Sequence, residues 1–158
     1  MNTEELSACL TFIREAERLK NVHRSAYTST DKQESTAEHT WRLCLLGMVF
    51  ESEFAGIDFG KLLKICVVHD LGEAISGDIP AVEQVNVPNK SALERADLVT
   101  LLSHLPETIH AQFLALWDEY ENAASPEARL VKGLDKIETI IQHNQGKNPP
   151  DFDYSFRS

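Results

Sequence analysis

One imidazole and three carboxylates fall within the ten residues from His69 to Asp78: His69, Asp70, Glu73 and Asp78. They stand at the end of the apolar run Leu62 to Val68. A carboxylate buried there without a partner costs several kcal/mol or takes up a proton. A divalent cation removes that cost, because neutral imidazole and carboxylate are both its ligands. Adjacent His and Asp also arise by chance, so a metal reading requires further ligands elsewhere in the chain.

The elements that must position such ligands read as helices. Thr3 caps a first helix with Leu6, Leu10, Ile13 and Ala16 at helical spacing. The polar stretch Asn21 to Glu34 reads as a long loop carrying Arg24. Ser35 and Glu38 form a capping box, and His39, Leu43, Leu46 and Phe50 then share one face, so His39 lies on a buried stripe. Trp41 is off that stripe and is expected to pack against another element. Asp58 caps a helix from about Phe59 to Asp70. Gly72 is suited to its left-handed exit, and Gly77 and Pro80 mark a turn that carries Asp78.

Residues Val82 to Asn89 read as irregular, and Asn89 caps a helix to about His104 that Pro106 stops. The next stripe is Ile109, Phe113, Leu116 and Trp117. His104 and His110 read as surface or core residues. Ser125 followed by Pro126 starts a last helix, with Val131, Leu134, Glu138 and Ile141 on one side and Asp135 beside Leu134. Gly146, Pro149 and Pro150 end it, and Phe152, Tyr154 and Phe156 are the aromatic groups able to order the tail. The expected fold is all-α: a single helical domain of five to seven helices over residues 1–158. Its site core spans about residues 36–142, and residues 147–158 form a tail.

Composition narrows the function classes. The chain has 158 residues and a net charge of −10, which argues against a nucleic-acid polymer or an anionic membrane as partner. The same charge repels phosphate, so a phosphate substrate needs a local metal or Arg. Cys9, Cys44 and Cys66 are odd in number and lie in apolar helical patterns, which suits reduced core thiols and a cytoplasmic setting. The polar start after Met1 does not resemble a signal peptide, and no apolar run approaches the roughly 20 residues of a membrane span.

Three separated helices therefore offer metal-type ligands: His39, the pair His69 and Asp70, and Asp135. Two imidazoles and two carboxylates favour manganese, cobalt, iron, nickel or zinc over calcium or magnesium. Four protein ligands on an octahedral ion leave two places for water or a phosphate oxygen, as a catalytic site requires.

The order His39, His69-Asp70, Asp135 resembles the signature of the HD-domain metal-dependent phosphohydrolases. The longer matches are Ala37 to Trp41, His69 to Pro80 and Leu134 to Lys136, and the similarity runs from about Leu19 to Gln142. They resemble the branch of the bacterial 5′-deoxynucleotidases and related HD-domain-containing proteins. The resemblance implies an all-helical fold, commonly dimeric, with one divalent ion on His39, His69, Asp70 and Asp135. It also implies that Glu73 and Asp78 are the catalytic carboxylates and that Arg24 faces the substrate. In the bacterial enzymes that Arg is followed by a Trp that helps select deoxyribose. Here Ser25 follows, which puts the sugar preference in question.

The expected activity is release of phosphate from a small nucleotide, a 5′-(deoxy)nucleoside monophosphate, in a cytoplasmic homodimer. One free carboxylate activates water and the other protonates the leaving alkoxide. Lys136 could add positive charge near the phosphate or form a surface salt bridge. Two other classes stand beside this one. An alarmone or phosphodiester hydrolase of HD type is disfavoured, because the first typically shows Glu-Asp where this chain has Glu73-Ala74, and the dinuclear phosphodiesterases generally have Lys at the Glu73 position. A non-catalytic nucleotide-binding module is disfavoured by the presence of all four ligands and both free carboxylates.

Overall fold

Helices α1 (Thr3–Ala16), α2 (Thr36–Val49), α3 (Phe59–Val68), α4 (Glu73–Ser76), α5 (Lys90–Leu102), α6 (Glu107–Glu121) and α7 (Pro126–Gln145) make the frame. A computed structural model describes residues 1–78 and 89–154, and about 68% of the described residues are helical. The expected turn at Pro80, the irregular stretch from Val82, and Phe156 lie outside the described residues. No helix among the described residues is long and apolar enough to cross a membrane.

Local chemistry sets the helix starts. The Ser35 hydroxyl accepts from the Glu38 amide at 3.2 Å, and the Glu38 carboxylate accepts from the Ser35 amide at 2.9 Å. Ser125 caps α7 with Pro126 at the first position, and Asp58 caps α3. The first cap is Asn2 in a reciprocal box with Glu5, one residue ahead of the expected Thr3. Asn89 precedes α5 in the left-handed region without a side-chain cap.

The stretch Asn21 to Glu34 is not a loop throughout. After a 3₁₀ turn (Glu17–Asn21), β1 (His23–Tyr27) pairs antiparallel with β2 (Gln33–Ser35). Its sequence is too polar to announce a strand, and partners distant in sequence stabilise it. The Gln142 amide donates to the Tyr27 carbonyl at 2.9 Å, and the Thr36 amide to the Val22 carbonyl at 2.8 Å. Asp31, at φ 68°, turns the hairpin in the left-handed region that Asp tolerates.

Three apolar expectations change with tertiary context. Leu6, Leu10 and Ile13 face outward, and α1 is seated by Phe12, whose ring meets Phe113 edge-on at 5.8 Å. Trp41 does not pack inward: it is 66% exposed, because it stands about 200° round α2 from buried His39. Phe50 is also exposed, and on α7 Gln142 takes the inward place expected of Ile141. Gly72 is right-handed rather than a left-handed cap. A Cβ there would stand 2.7 Å from the Glu94 carbonyl oxygen, so glycine is needed for the approach of α5. The left-handed residue is Gly77, at φ 85°.

Two apolar cores flank the site. One gathers Phe12, Leu19, Val68, Leu71, Leu98, Leu102 and Trp117, and the other Leu43, Leu62, Ile65, Cys66, Val131 and Leu134. Helices α2, α3 and α7 pack on one another around the second core, which brings their ligand-type residues to one end. The three cysteines are unpaired, and Cys66 is buried.

Candidate metal centre

His39 lies one turn into α2 with no exposed surface, and His69 caps the C-terminus of α3, also buried. Asp70 follows in the turn, and Asp135 comes from the middle of α7 beside Leu134. One ligand atom from each of these four residues lies within 4.8 Å of every other. His39 Nε2 is 2.6 Å from Asp135 Oδ1 and 4.0 Å from Asp70 Oδ2. His69 Nε2 is 3.0 Å from Asp70 Oδ2 and 3.3 Å from Asp135 Oδ1.

The other imidazole nitrogens are occupied elsewhere. His69 Nδ1 donates to the Cys66 carbonyl at 2.7 Å, and His39 Nδ1 meets the Glu138 carboxylate. Each ring thus holds one proton on Nδ1; in the ion-free chain a second proton on Nε2 donates to Asp135, and a bound cation would take that proton's place. Such convergence of two nitrogen and two oxygen donors fits a divalent transition metal.

The cluster stabilises positive charge. Burial alone would lower the pKa of His69, but the charge of Asp70 and the hydrogen bonds to Asp135 and Asp70 raise it well above its ordinary value. His39 is raised against burial by Asp135 and Glu138. Burial opposes ionisation of Asp135, yet hydrogen bonds from both imidazoles hold it well below the usual carboxylate range. Asp70 is lowered against burial by His69.

Arg24, on β1, reaches the rim of this cluster. Its Nε is 3.2 Å from Glu34 Oε1, its Nη2 donates to Thr139 Oγ1 at 3.2 Å, and its Nη1 is 3.8 Å from Asp70 Oδ2. Burial works against its charge, but Asp70, Asp78, Asp135 and Glu34 outweigh it. Ser25, the next residue, is exposed. Lys136 is exposed too, about 100° round α7 from Asp135.

Glu73 and Asp78 stand together beside Asp70. The Thr36 hydroxyl donates to Glu73 Oε2 at 3.1 Å. Burial, then Asp70 and Asp78, push the Glu73 carboxyl up to about 9, so it holds a proton at neutral pH. Asp78 is hydrogen-bonded to Glu73, and burial raises its pKa as well. Two carboxyl groups in contact share a proton; the hydrogen bond from Glu73 favours the ionised form of Asp78 and the charge of Asp78 raises Glu73, which places the proton on Glu73.

Sequence reasoning missed Glu34, Glu138, Arg42, Glu94 and Tyr120. Glu94 on α5 lies within 4.8 Å of Asp70 and Glu73 by ligand atoms, and burial raises it to about 7. The Tyr120 ring meets His69 edge-on at 5.0 Å. Glu138 had a usable signal, since a charged residue at a buried helical position rarely lacks a partner.

An all-helical frame with a buried two-imidazole, two-carboxylate cluster defines the class: a helical fold able to hold one divalent cation beside free carboxylates. The chain belongs to the HD-domain family, whose model matches residues 16–158. It is 33% identical to the Bos taurus 5′-deoxynucleotidase HDDC2 over 86% of this chain and 66% of that one. It is 35% identical to the Schizosaccharomyces pombe 5′-deoxynucleotidase hdd1 over 90% and 74%. The chain thus spans just under two thirds of the bovine relative's length. A protein of Magnetospirillum magnetotacticum described as a predicted metal-dependent phosphohydrolase superposes with a TM-score of 0.80 at 25% identity, over 88% of this chain and 70% of its own.

Proposed function

We propose that this chain is a metal-dependent phosphohydrolase that releases phosphate from a small nucleotide, a 5′-(deoxy)nucleoside monophosphate. The observation that carries the proposal is the placing of Glu73 and Asp78 on one side of the His39, His69, Asp70 and Asp135 cluster, with Arg24 at its rim. The four clustered residues would hold one manganese, cobalt, zinc, iron or nickel ion per chain. Such an ion supplies positive charge against the phosphate oxygens and orients the substrate.

The chain's own residues do the rest. Arg24 binds phosphate or sugar oxygens through paired hydrogen bonds. Asp78, the readier of the two carboxyls to ionise, takes a proton from the attacking water as its oxygen bonds to phosphorus. Glu73 gives its proton to the ester oxygen as that bond breaks, so the leaving nucleoside departs as a neutral alcohol. Ser25 leaves the sugar side of Arg24 without aromatic bulk, and Lys136 adds only a solvated charge at the margin.

A homodimer in the cytoplasm completes the reading. The cytoplasmic setting is supported by the three unpaired thiols. The dimer is supported by an apolar face in which Trp41, Leu45, Met48 and Val49 of α2 and Ile137, Ile140 and Ile141 of α7 are all exposed. A bond of 2.8 Å from Arg42 Nη1 to Gln145 Oε1 holds the two stripes side by side. Seven large apolar side chains in one place exceed the scattered singles normal on a monomer. In a chain of net charge −10, the stretch Trp41 to Val49 has no acidic residue, and Lys136 to Lys147 has only buried Glu138. Two copies can therefore meet here without carboxylates facing each other.

Manganese-loaded protein assayed against nucleoside mono-, di- and triphosphates, with phosphate measured, tests the function. Phosphate from monophosphates is the expected result. Pyrophosphate from a guanosine alarmone, or no product from any substrate, would replace this reading with one of the two alternatives.

A further inference from the structure

We propose that Glu138 is a positioning residue for the metal centre: braced by Arg42, its carboxylate holds the proton of His39 on Nδ1 and so presents Nε2 to the ion. This inference rests on the metal reading above.

His39 and Arg42 are three residues apart on α2, and Asp135 and Glu138 are three residues apart on α7. Residues at that spacing share a helix face, so a His–Arg pair on one helix meets an Asp–Glu pair on the other. His39 touches both acids, Asp135 through Nε2 and Glu138 through Nδ1. Arg42 Nε donates to the other Glu138 oxygen at 2.7 Å, and Arg42 is itself anchored on Gln145. Glu138 is almost fully buried, yet both its oxygens are satisfied.

This arrangement decides between two tautomers. With a carboxylate at each nitrogen, the ring has no intrinsic reason to place its proton on the side away from the cluster. A proton left on Nε2 would block that nitrogen as a ligand. Glu138, ionised and fixed by Arg42, provides the acceptor that retains the proton on Nδ1. The corresponding task at His69 falls to the Cys66 carbonyl, a backbone group that no side-chain substitution removes.

The group behind His39 also contains Glu34, within 4.8 Å of His39 and Glu138 by ligand atoms. That does not make it a second cation site, because the charges there already balance. Arg24 pairs with Glu34, and Arg42 pairs with Glu138. The group is a brace for the imidazole.

The test measures manganese(II) affinity by chelator competition on the full chain and on Glu138→Ala and Glu138→Gln, with melting of the ion-free proteins alongside. Loss of a partner of this kind typically weakens metal binding by about 10–100-fold. That loss is expected for Glu138→Ala, while its ion-free melt stays cooperative. Glu138→Gln keeps an oxygen that accepts the Nδ1 proton and should stay within about threefold of the parent. An Ala variant within about twofold of the parent, or a Gln variant as weak as Ala, overturns the proposal. If Glu138→Ala does not fold, Glu138→Gln decides alone, and a tenfold loss there overturns it. Nitrogen-15 spectra of the parent loaded with diamagnetic zinc should show His39 protonated at Nδ1; a bare Nδ1 overturns it too. A parent that binds no manganese sinks the metal reading as well, whereas a parent that binds while both variants match it sinks only the role of Glu138.

Discussion

Arg24 and Asp70 come from different elements, β1 and the turn after α3, and the Arg24 guanidinium stands 3.8 Å from the Asp70 carboxylate without closing on it. Its nearer partners, Glu34 and Thr139, hold it from behind. The group is thus fixed at the rim of the cluster with its outer edge turned to the carboxylate that would hold the ion.

Replacing Arg24 by Ala should lower kcat/KM for a nucleoside monophosphate by at least tenfold, equivalent to about 1.4 kcal/mol of transition-state binding. Metal content should be unchanged, because Arg24 is not a ligand. Steady-state kinetics with elemental analysis checks both halves. A variant as active as the parent would remove Arg24 from the substrate site.

With exposed Ser25 next to Arg24 and no Trp there, discrimination between deoxyribose and ribose should be loose. The ratio of kcat/KM for dAMP and AMP measures it directly. A strong preference for dAMP in the unaltered protein would mean that other residues select the sugar.

Asp70→Ala and Asp135→Ala should each lose the ion, since each leaves two buried imidazoles with a single carboxylate. Elemental analysis should find one ion per parent chain and far less in either variant. Full occupancy and full activity in either one would show that the ligands lie elsewhere.

Glu73→Gln and Asp78→Asn should keep the ion yet lose about 10²–10⁴-fold in kcat, the usual worth of a general acid or base. A loss of only a few-fold in both variants would place the working carboxylates elsewhere.

Glu73 also predicts a pH dependence of stability. Its folded pKa of about 9 lies above the ordinary value of 4.5, so the folded chain keeps a proton that the unfolded chain gives up between those values. The group's contribution is therefore complete below about pH 4.5 and is lost as pH rises toward 9. Glu73→Gln removes that dependence, and ion-free melts should show its Tm rising relative to the parent from pH 6 to 9. A constant difference across that range would contradict the buried, protonated Glu73.

Trp41→Glu and Ile140→Glu should convert a dimer to monomers in light scattering, with the ion-free fold intact by circular dichroism. A monomeric parent, or variants that remain dimeric, would remove this face as the contact.

Much of the site was legible in the chain because its signals are local. The Ser35–Glu38 box and the Ser125-Pro126 start fix where α2 and α7 begin, and with them the faces on which His39 and Asp135 lie. The spacing of His69, Asp70, Glu73 and Asp78 likewise needs only one stretch of backbone. What tertiary structure alone decided involves partners brought together from different elements, far apart in sequence. The hairpin at Arg24 is bound by Gln142 and Thr139 of α7, so its polar strands carried no pattern of their own. Gly72 reads as a helix cap until Glu94 is brought against it. Trp41 and Ile140 have the composition of core residues, and only the packing of α2 on α7 shows that they face outward. The pairing of Glu138 with His39 and Arg42 depends on that same packing: periodicity says which residues share a face, but not which faces meet.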